Sequence, residues 1–294
     1  MSKFFPCIFK RPKHRFSEKN GNFEFLNSID YHGLTTFMRA LFQISRLKNL
    51  FLLTLVLFLF SDCRPEEEQS DFVTVRLKIN HSANGKTLVR DQFMFQNAFG
   101  QLYSIQSLDY FISNVKLRDA AQNQDYTEVA SYHLVNALQN PAETVIAIRN
   151  VPRKKFSELV FSIGVDSIAN SKTDQVGDLD PGVGGMAWDW TTGYKFFAMT
   201  GRWQKGTVQK PLVFHIGENF NYKTLTFRLS YNGGNMFDFQ KDTEISLSFD
   251  LNEAFQNPDS VNFENTFDVK SGPTGSARIA SNYADGLFKL VGVR

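Results

Sequence analysis

The sequence predicts an all-β protein, an antiparallel β-sandwich with a short C-terminal helix. Three observations carry that expectation. The chain holds 30 phenylalanines in 294 residues, and aromatic and β-branched side chains suit the half-buried, pleated surface of a sheet. Apolar residues recur with a period of two, most cleanly at Ile245, Leu247, Phe249 and Leu251, which is the signature of a strand with one buried face. Turn residues punctuate these runs every dozen positions or so.

Val73, Val75, Leu77 and Ile79 alternate with Thr74, Arg76 and Lys78 and make the first strand. Further strands are expected at Phe93–Phe95, Tyr103–Ile105, Tyr110–Leu117, Thr144–Ile148, Leu159–Ile163, Tyr194–Met199, Pro211–Ile216, Leu225–Leu229 and Ile245–Leu251. Asn84-Gly85, Asn97 to Gly100, Asn140-Pro141, Asn150 to Pro152 and Asn232 to Gly234 separate them as turns. Only Ala277–Leu287 has a helical pattern. About ten short strands with frequent turns indicate two packed antiparallel layers. No repeat or Pro/Ser-rich linker divides residues 71–294, so they are read as one domain.

The N-terminal part reads as an address. Leu50 to Phe60, LFLLTLVLFLF, is too short to span a bilayer as a helix. Preceded by Arg39, Arg46 and Lys48, it has the layout of a secretory signal. Residues 1–37 are basic and patternless, and Met38 would open a signal of ordinary length; residues 1–37 are therefore expected to be untranslated or disordered, and 38–62 a signal peptide. Ser61-Asp62-Cys63 is similar to the end of a bacterial lipoprotein signal, although Asp62 replaces the small residue usual before the cysteine. Cys63 is thus the expected lipidation site, residues 63–70 a tether, and contact with the membrane is through that lipid alone. Glu66, Glu67 and Glu68 resemble the acidic tag of surface lipoproteins in certain Gram-negative bacteria, or form a plain solvated linker.

Charge excludes one class of partner. Beyond Cys63 there are 23 basic and 26 acidic residues, a net of −3, which leaves no basic footprint for nucleic acid. The expected domain has no cysteine, so disulfides and thiolate metal sites are excluded there.

The chemistry-bearing residues are few. Beyond Cys63 there are three histidines, His81, His133 and His215, each at or near an expected strand, and a sandwich brings distant strand ends together. Imidazoles without thiols suit copper or zinc, copper more so if Met94, Met186 or Met199 joins them; read blandly, each is an ordinary satisfied or exposed histidine. Asp166, Asp174, Asp178 and Asp180 crowd one loop with oxygen donors of the calcium type, but no EF-hand spacing is present and Asx turns account for most loop aspartates. There is no G-x-S-x-G, H-E-x-x-H, phosphate loop or dinucleotide fingerprint, while an acid pair for glycoside cleavage needs no fixed spacing.

The most unusual stretch is Asp178 to Tyr194, where Gly182, Gly184 and Gly185 lead into Met186-Ala-Trp188-Asp-Trp190 and Gly193-Tyr194. Two tryptophans one residue apart would share a strand face, as core, as a sugar platform, or as a redox-sensitive pair.

Leu108-Asp-Tyr-Phe-Ile-Ser-Asn-Val-Lys-Leu117, Tyr132-His-Leu-Val-Asn136, Phe161-Ser-Ile-Gly-Val-Asp166, Leu179-Asp-Pro181, Met186-Ala-Trp-Asp-Trp190, Gly193-Tyr-Lys-Phe196 and Phe214-His-Ile-Gly217 follow one another in an order that resembles the MbnP-like family, the methanobactin-associated periplasmic copper-binding proteins and their relatives. The resemblance covers Val73 to Tyr283. It implies a β-sandwich outside the cytoplasm that binds copper and is not an enzyme. It implies further that one tryptophan is oxidised to kynurenine by a partner di-haem protein of the peroxidase-like type and joins histidines at the metal. Residue by residue, His81, His133 and His215 stand where this branch of the family places histidines and are the candidate metal ligands, without the match saying which of them ligate; Trp188 or Trp190 is the candidate modified ring, and Met186 and Tyr194 are candidates for the pocket wall. Asn136 stands where the family has aspartate, and Gly182 to Gly185 lengthens the glycine segment. The expected role is capture of copper at the cell envelope of a Gram-negative bacterium, as an outer-membrane lipoprotein, periplasmic or surface-exposed. The competing reading is a surface lipoprotein that binds a glycan or a protein through exposed aromatics without metal; a third is a structural sandwich in an envelope assembly.

Overall fold

The computed structural model describes residues 70–138, 143–189, 191–230, 234–270 and 272–294. The expected signal peptide, Cys63, all of the tether before Ser70, and Trp190 lie outside the described residues. Contacts divide the chain into Met1–Glu68 and Gln69–Arg294, and the second unit is the one whose architecture follows.

The sandwich is built from two sheets and a small ribbon. In the first sheet, β1 (Phe72–Ala83) pairs with the hairpin strand β2 (Lys86–Thr87), antiparallel with β7 (Thr144–Pro152) and parallel with β14 (Thr243–Asp250), which pairs in turn with β16 (Phe288–Val293). The second sheet centres on one long strand, β4 (Leu102–Asp119). Along one edge of β4 run β3 (Phe95–Gln96), β5 (Gln124–Thr127) and β6 (Tyr132–Asn136). Against the other edge lie β9 (Glu158–Ile163) and β10 (Lys195–Lys205), extended outward by β12 (Lys223–Arg228), β11 (Val208–Gly217) and β15 (Asp268–Val269). The ribbon pairs β8 (Lys155–Phe156) with β13 (Phe237–Asp238). The expected class holds; β1 with β14 and β11 with β15 are the parallel pairings among the described strands.

Register shows how β9 and β10 relate. Ile112 pairs with His133 and with Ile163, while Tyr110 pairs with Val135 and with Phe197. A strand residue has two flanks, and β6 takes the same one at both positions. Hence β9 and β10 lie end to end along the same edge of β4, and the chain between them leaves the sheet and returns to it at nearly the same point.

The strand expected at Tyr103–Ile105 and the one at Tyr110–Leu117 are one strand. Polar Gln106 and Ser107 look like an interruption, but the pairing of Thr200 with Ser107 and of Gly201 with Ile105 makes Gln106 the extra residue of a bulge. Gly201 allows the close approach, since a Cβ there would meet Ser104 O at 2.1 Å. A second bulge, at Asn114 with φ 53°, bends β4 again.

The two sheets meet through a continuous core. Tyr110 stacks on Phe249 at 5.2 Å and 14°, with Phe288 edge-on to both at 5.8 and 5.3 Å. Tyr103, Phe214, Phe255 and Phe263 form a second aromatic knot. Each such pair adds about 0.5–1.5 kcal/mol beyond its buried area, which is where the phenylalanine surplus is spent. The expected C-terminal helix is present as α2 (Pro273–Gly286), following a single short turn of helix, α1 (Ser167–Asn170). Pro273 opens α2 at a position with no intrahelical donor to lose. Its buried Asn282 donates to Ala254 O at 3.0 Å and Asp259 O at 2.7 Å, fastening the helix to the loop beyond β14.

Candidate functional site

The segment from Gly164 to Tyr194, between β9 and β10, folds onto the outer face of the second sheet. Its start is held by Asp166, which caps α1 through Ile168 N and Ala169 N at 3.1 and 3.2 Å. The other carboxylate oxygen of Asp166 accepts from the Tyr132 hydroxyl and from Asn114 Nδ2. Asp178 accepts from Leu134 N at 2.9 Å, and Asp180 closes an Asx turn on Gly182 N at 2.9 Å. Three of the four loop aspartates thus build the loop, as the Asx-turn reading expects.

Apolar contacts seal the loop to the sheet. Phe111, Phe196 and Ala198 of the outer face pack with Val165, Ala169, Leu179, Met186 and Tyr194 of the loop. The Tyr194 hydroxyl donates to Leu179 O, and Tyr194 N to Asn170 Oδ1 at 2.9 Å. Met186 and Tyr194, both expected in the pocket wall, are buried in this seam, and Tyr194 also lines the pocket beside Trp188.

The tryptophan segment is a narrow hairpin. Lys195 N donates to Met186 O at 2.7 Å and Trp188 N to Gly193 O at 3.0 Å, with Ala187 opposite Tyr194. Gly193, at φ +113°, takes a conformation closed to other residues. The Trp188 ring lies against β11 at Gly217, where a Cβ would be 2.8 Å from the indole nitrogen. The His215 ring stands 6.5 Å from it at 63°, and the Lys195 ammonium 5.5 Å from its centroid. Beside Trp188, a pocket of about 390 Å³ is lined by Lys172, Thr173, Asp189, Thr191 and Thr192.

The three histidines do not share a site, which corrects the expectation of a common metal centre. His81 lies between the sheets, 2% exposed; its Nε2 is 2.8 Å from the Tyr110 hydroxyl and its ring 5.0 Å from Phe249. Burial drives its pKa down to about 4 and leaves Nδ1 with no partner among the described residues. His133, on β6, is 2.8 Å from Glu128 Oε2, which also accepts from Ser131 Oγ at 2.6 Å. His215 is on the outer face, because Phe214 and Ile216 on either side of it are core. Its pKa is lowered to about 4, first by burial and then by Lys195 and Lys270, with Asp268 opposing. Its imidazole is therefore uncharged at neutral pH. Among the described residues, no group of three or more His, Cys, Asp or Glu is placed to hold a metal.

One residue of this face was missed in the sequence. Asp109 lies on the outer face between the core residues Leu108 and Tyr110, and burial raises its carboxyl to about 6 against the opposing pull of Arg90. Its parity relative to its neighbours was readable; its position relative to His215 required the register of three strands.

Fold and site together define a β-sandwich with one outer face roofed by a long loop that sets a tryptophan hairpin beside an imidazole. The family model described as MbnP matches residues 73–272, and the chain belongs to the MbnP family. MbnP from Methylosinus trichosporium is similar in structure, with a TM-score of 0.48 at 17% identity, covering 70% of this chain and 83% of that one. No match is found among curated protein sequences.

Proposed function

We propose that this protein is a copper-binding component of a bacterial cell envelope, anchored by a lipid on Cys63, that captures copper for uptake or homeostasis. The observation that carries the reading is the pairing of neutral His215 with Trp188 under the loop of an MbnP-family chain. Imidazole suits copper in either oxidation state. Tryptophan is only a donor, so oxidative opening of Trp188 or Trp190 to kynurenine, by a di-haem peroxidase-like partner, would create acceptor atoms for the metal where none exist. The protein itself is a binder and not an enzyme. Among the described residues no helix is long and apolar enough to cross a membrane, and the lipid is the proposed attachment.

Copper content of the purified chain, compared with His215→Ala, tests this. The wild type should retain copper and the variant lose most of it; equal content, or none in either, removes the reading. Peptide mass spectrometry across Asp178 to Lys195 from copper-limited cells tests the oxidation separately, and two intact tryptophans would exclude it. A second reading, glycan binding, is favoured by the pocket that sets Trp188 against Asp189, Thr191 and Thr192. It predicts sugar-dependent quenching of tryptophan fluorescence in a metal-free sample.

A further inference from the structure

We propose that a cleft at the far end of β9 from the tryptophan loop binds a small zwitterion, a free amino acid or dipeptide, with its ammonium on Asp119 and its carboxylate on Arg228. The cleft plays no part in the copper reading.

Its volume is about 480 Å³, within the range of small-molecule sites. Asp119 at the end of β4, Glu158 at the start of β9 and Arg228 at the end of β12 line it, together with Ser157, Leu229 and Met236. β9 runs from Glu158 to Ile163, and the chain then leaves the sheet for the tryptophan loop. At about 3.3 Å per residue, about 17 Å of strand separate the two sites.

The register brings the charges together. Glu158 pairs with Arg118 on one side and with Arg228 on the other. All three point outward, because Leu117, Leu159 and Leu229 beside them are core. Arg118 is committed to Asp125, to which its Nε and Nη2 donate at 2.9 and 3.1 Å. Arg228, exposed on the last strand of the row, has no partner among the described residues. The row thus ends in a free guanidinium, whose planar fork matches a carboxylate.

Asp119 supplies the opposite charge from inside, where it is 5% exposed. Its Oδ1 accepts from Ala121 N and Gln122 N at 3.1 and 3.2 Å, closing a turn, while its Oδ2 has no partner among the described residues. Buried carboxylate oxygens are normally paired, and this one borders a cavity many times the volume of a water molecule. Two carboxylates make a poor site for a bare metal ion, which calls for more oxygen ligands, and no group of three or more such residues is placed to hold one among the described residues. An ammonium needs only acceptors, and Asp119 with Glu158 provides them. Leu229 and Met236 add an apolar wall for an aliphatic side chain. A ligand with one ammonium, one carboxylate and an apolar side chain matches all of these groups; an amine alone leaves Arg228 unmatched, and an acid alone leaves Asp119.

The test is isothermal titration calorimetry of the metal-free whole chain with leucine, with leucyl-leucine, and with the N-acetylated and C-amidated forms of each. The expected result is binding of a free form, at least tenfold weaker for either blocked form and at least tenfold weaker in both Asp119→Asn and Arg228→Ala. Asp119→Asn keeps an oxygen for the turn, so its near-ultraviolet circular dichroism should stay that of the wild type; should the turn be disturbed, Arg228→Ala at its exposed position decides alone. No binding of either free compound overturns the proposal. So does binding that the variants leave unchanged, or a blocked form that binds as well as the free one.

Discussion

The buried imidazole of His81 makes the stability of the sandwich depend on pH in a defined window. Unfolded, a histidine titrates near 6.5; folded, His81 titrates at about 4 because charging it means placing a cation among Tyr110 and Phe249 with no compensating partner. Between those values the unfolded chain binds the extra proton, so stability rises with pH. The contribution is whole above about pH 6.5 and is lost as pH falls towards about 4. At 1.36 kcal/mol per unit the full loss is about 3 kcal/mol. The variant His81→Phe keeps the volume and removes the titration, at a cost of about 1–3 kcal/mol from leaving the Tyr110 hydroxyl unpaired. Urea denaturation followed by tryptophan fluorescence, at intervals from pH 4 to 8, should give a wild-type curve that falls about 3 kcal/mol further than that of the variant over this interval. Parallel curves would refute the reasoning and mean that a proton enters the core without opening it, or that His81 is solvated there.

Three further outcomes follow from the packing. Gly217→Ala forces a Cβ to within 2.5 Å of Tyr194 O and 2.8 Å of the Trp188 ring; the indole must move, costing about 1–3 kcal/mol, and an unaltered near-ultraviolet spectrum would contradict that placement. Asp166→Ala strips the α1 cap and the acceptor of Tyr132 and Asn114, so a loss of about 1–3 kcal/mol should come with faster proteolysis between Gly164 and Tyr194. Trp203→Ala empties one of the largest buried side chains, 1% exposed, and should lower the stability measured by thermal melting by about 3–5 kcal/mol.

How far the fold could be read depended on pattern, and the site on register. The odd positions from Val73 to Ile79 mark one face of β1, and His81 continues the same parity into the core. Phe214 and Ile216 likewise turn His215 outward. Parity alone therefore separates two of the three histidines, and it is a signal the expectation of a shared metal centre did not use. β4 was broken in two because a bulge residue is polar and resembles a turn. The short strand β5, Gln124–Thr127, is polar and mostly exposed, and has no apolar alternation to reveal it. Asp109 could not be connected to His215, because no local pattern states which residues of three strands lie abreast.

Because β9 and β10 share one edge of β4, the ladder of the second sheet is nearly continuous beneath the tryptophan loop. The loop's two ends are therefore neighbours whatever lies between them, and lengthening such a connection costs only about 0.6 kcal/mol per doubling. Glycines can be added before Met186, or the hairpin tip exchanged, with the sandwich left to fold as before. The arrangement is a socket and an insert: the ladder beneath holds its register on its own pairings, and the chemistry at its surface can be exchanged as a single cassette.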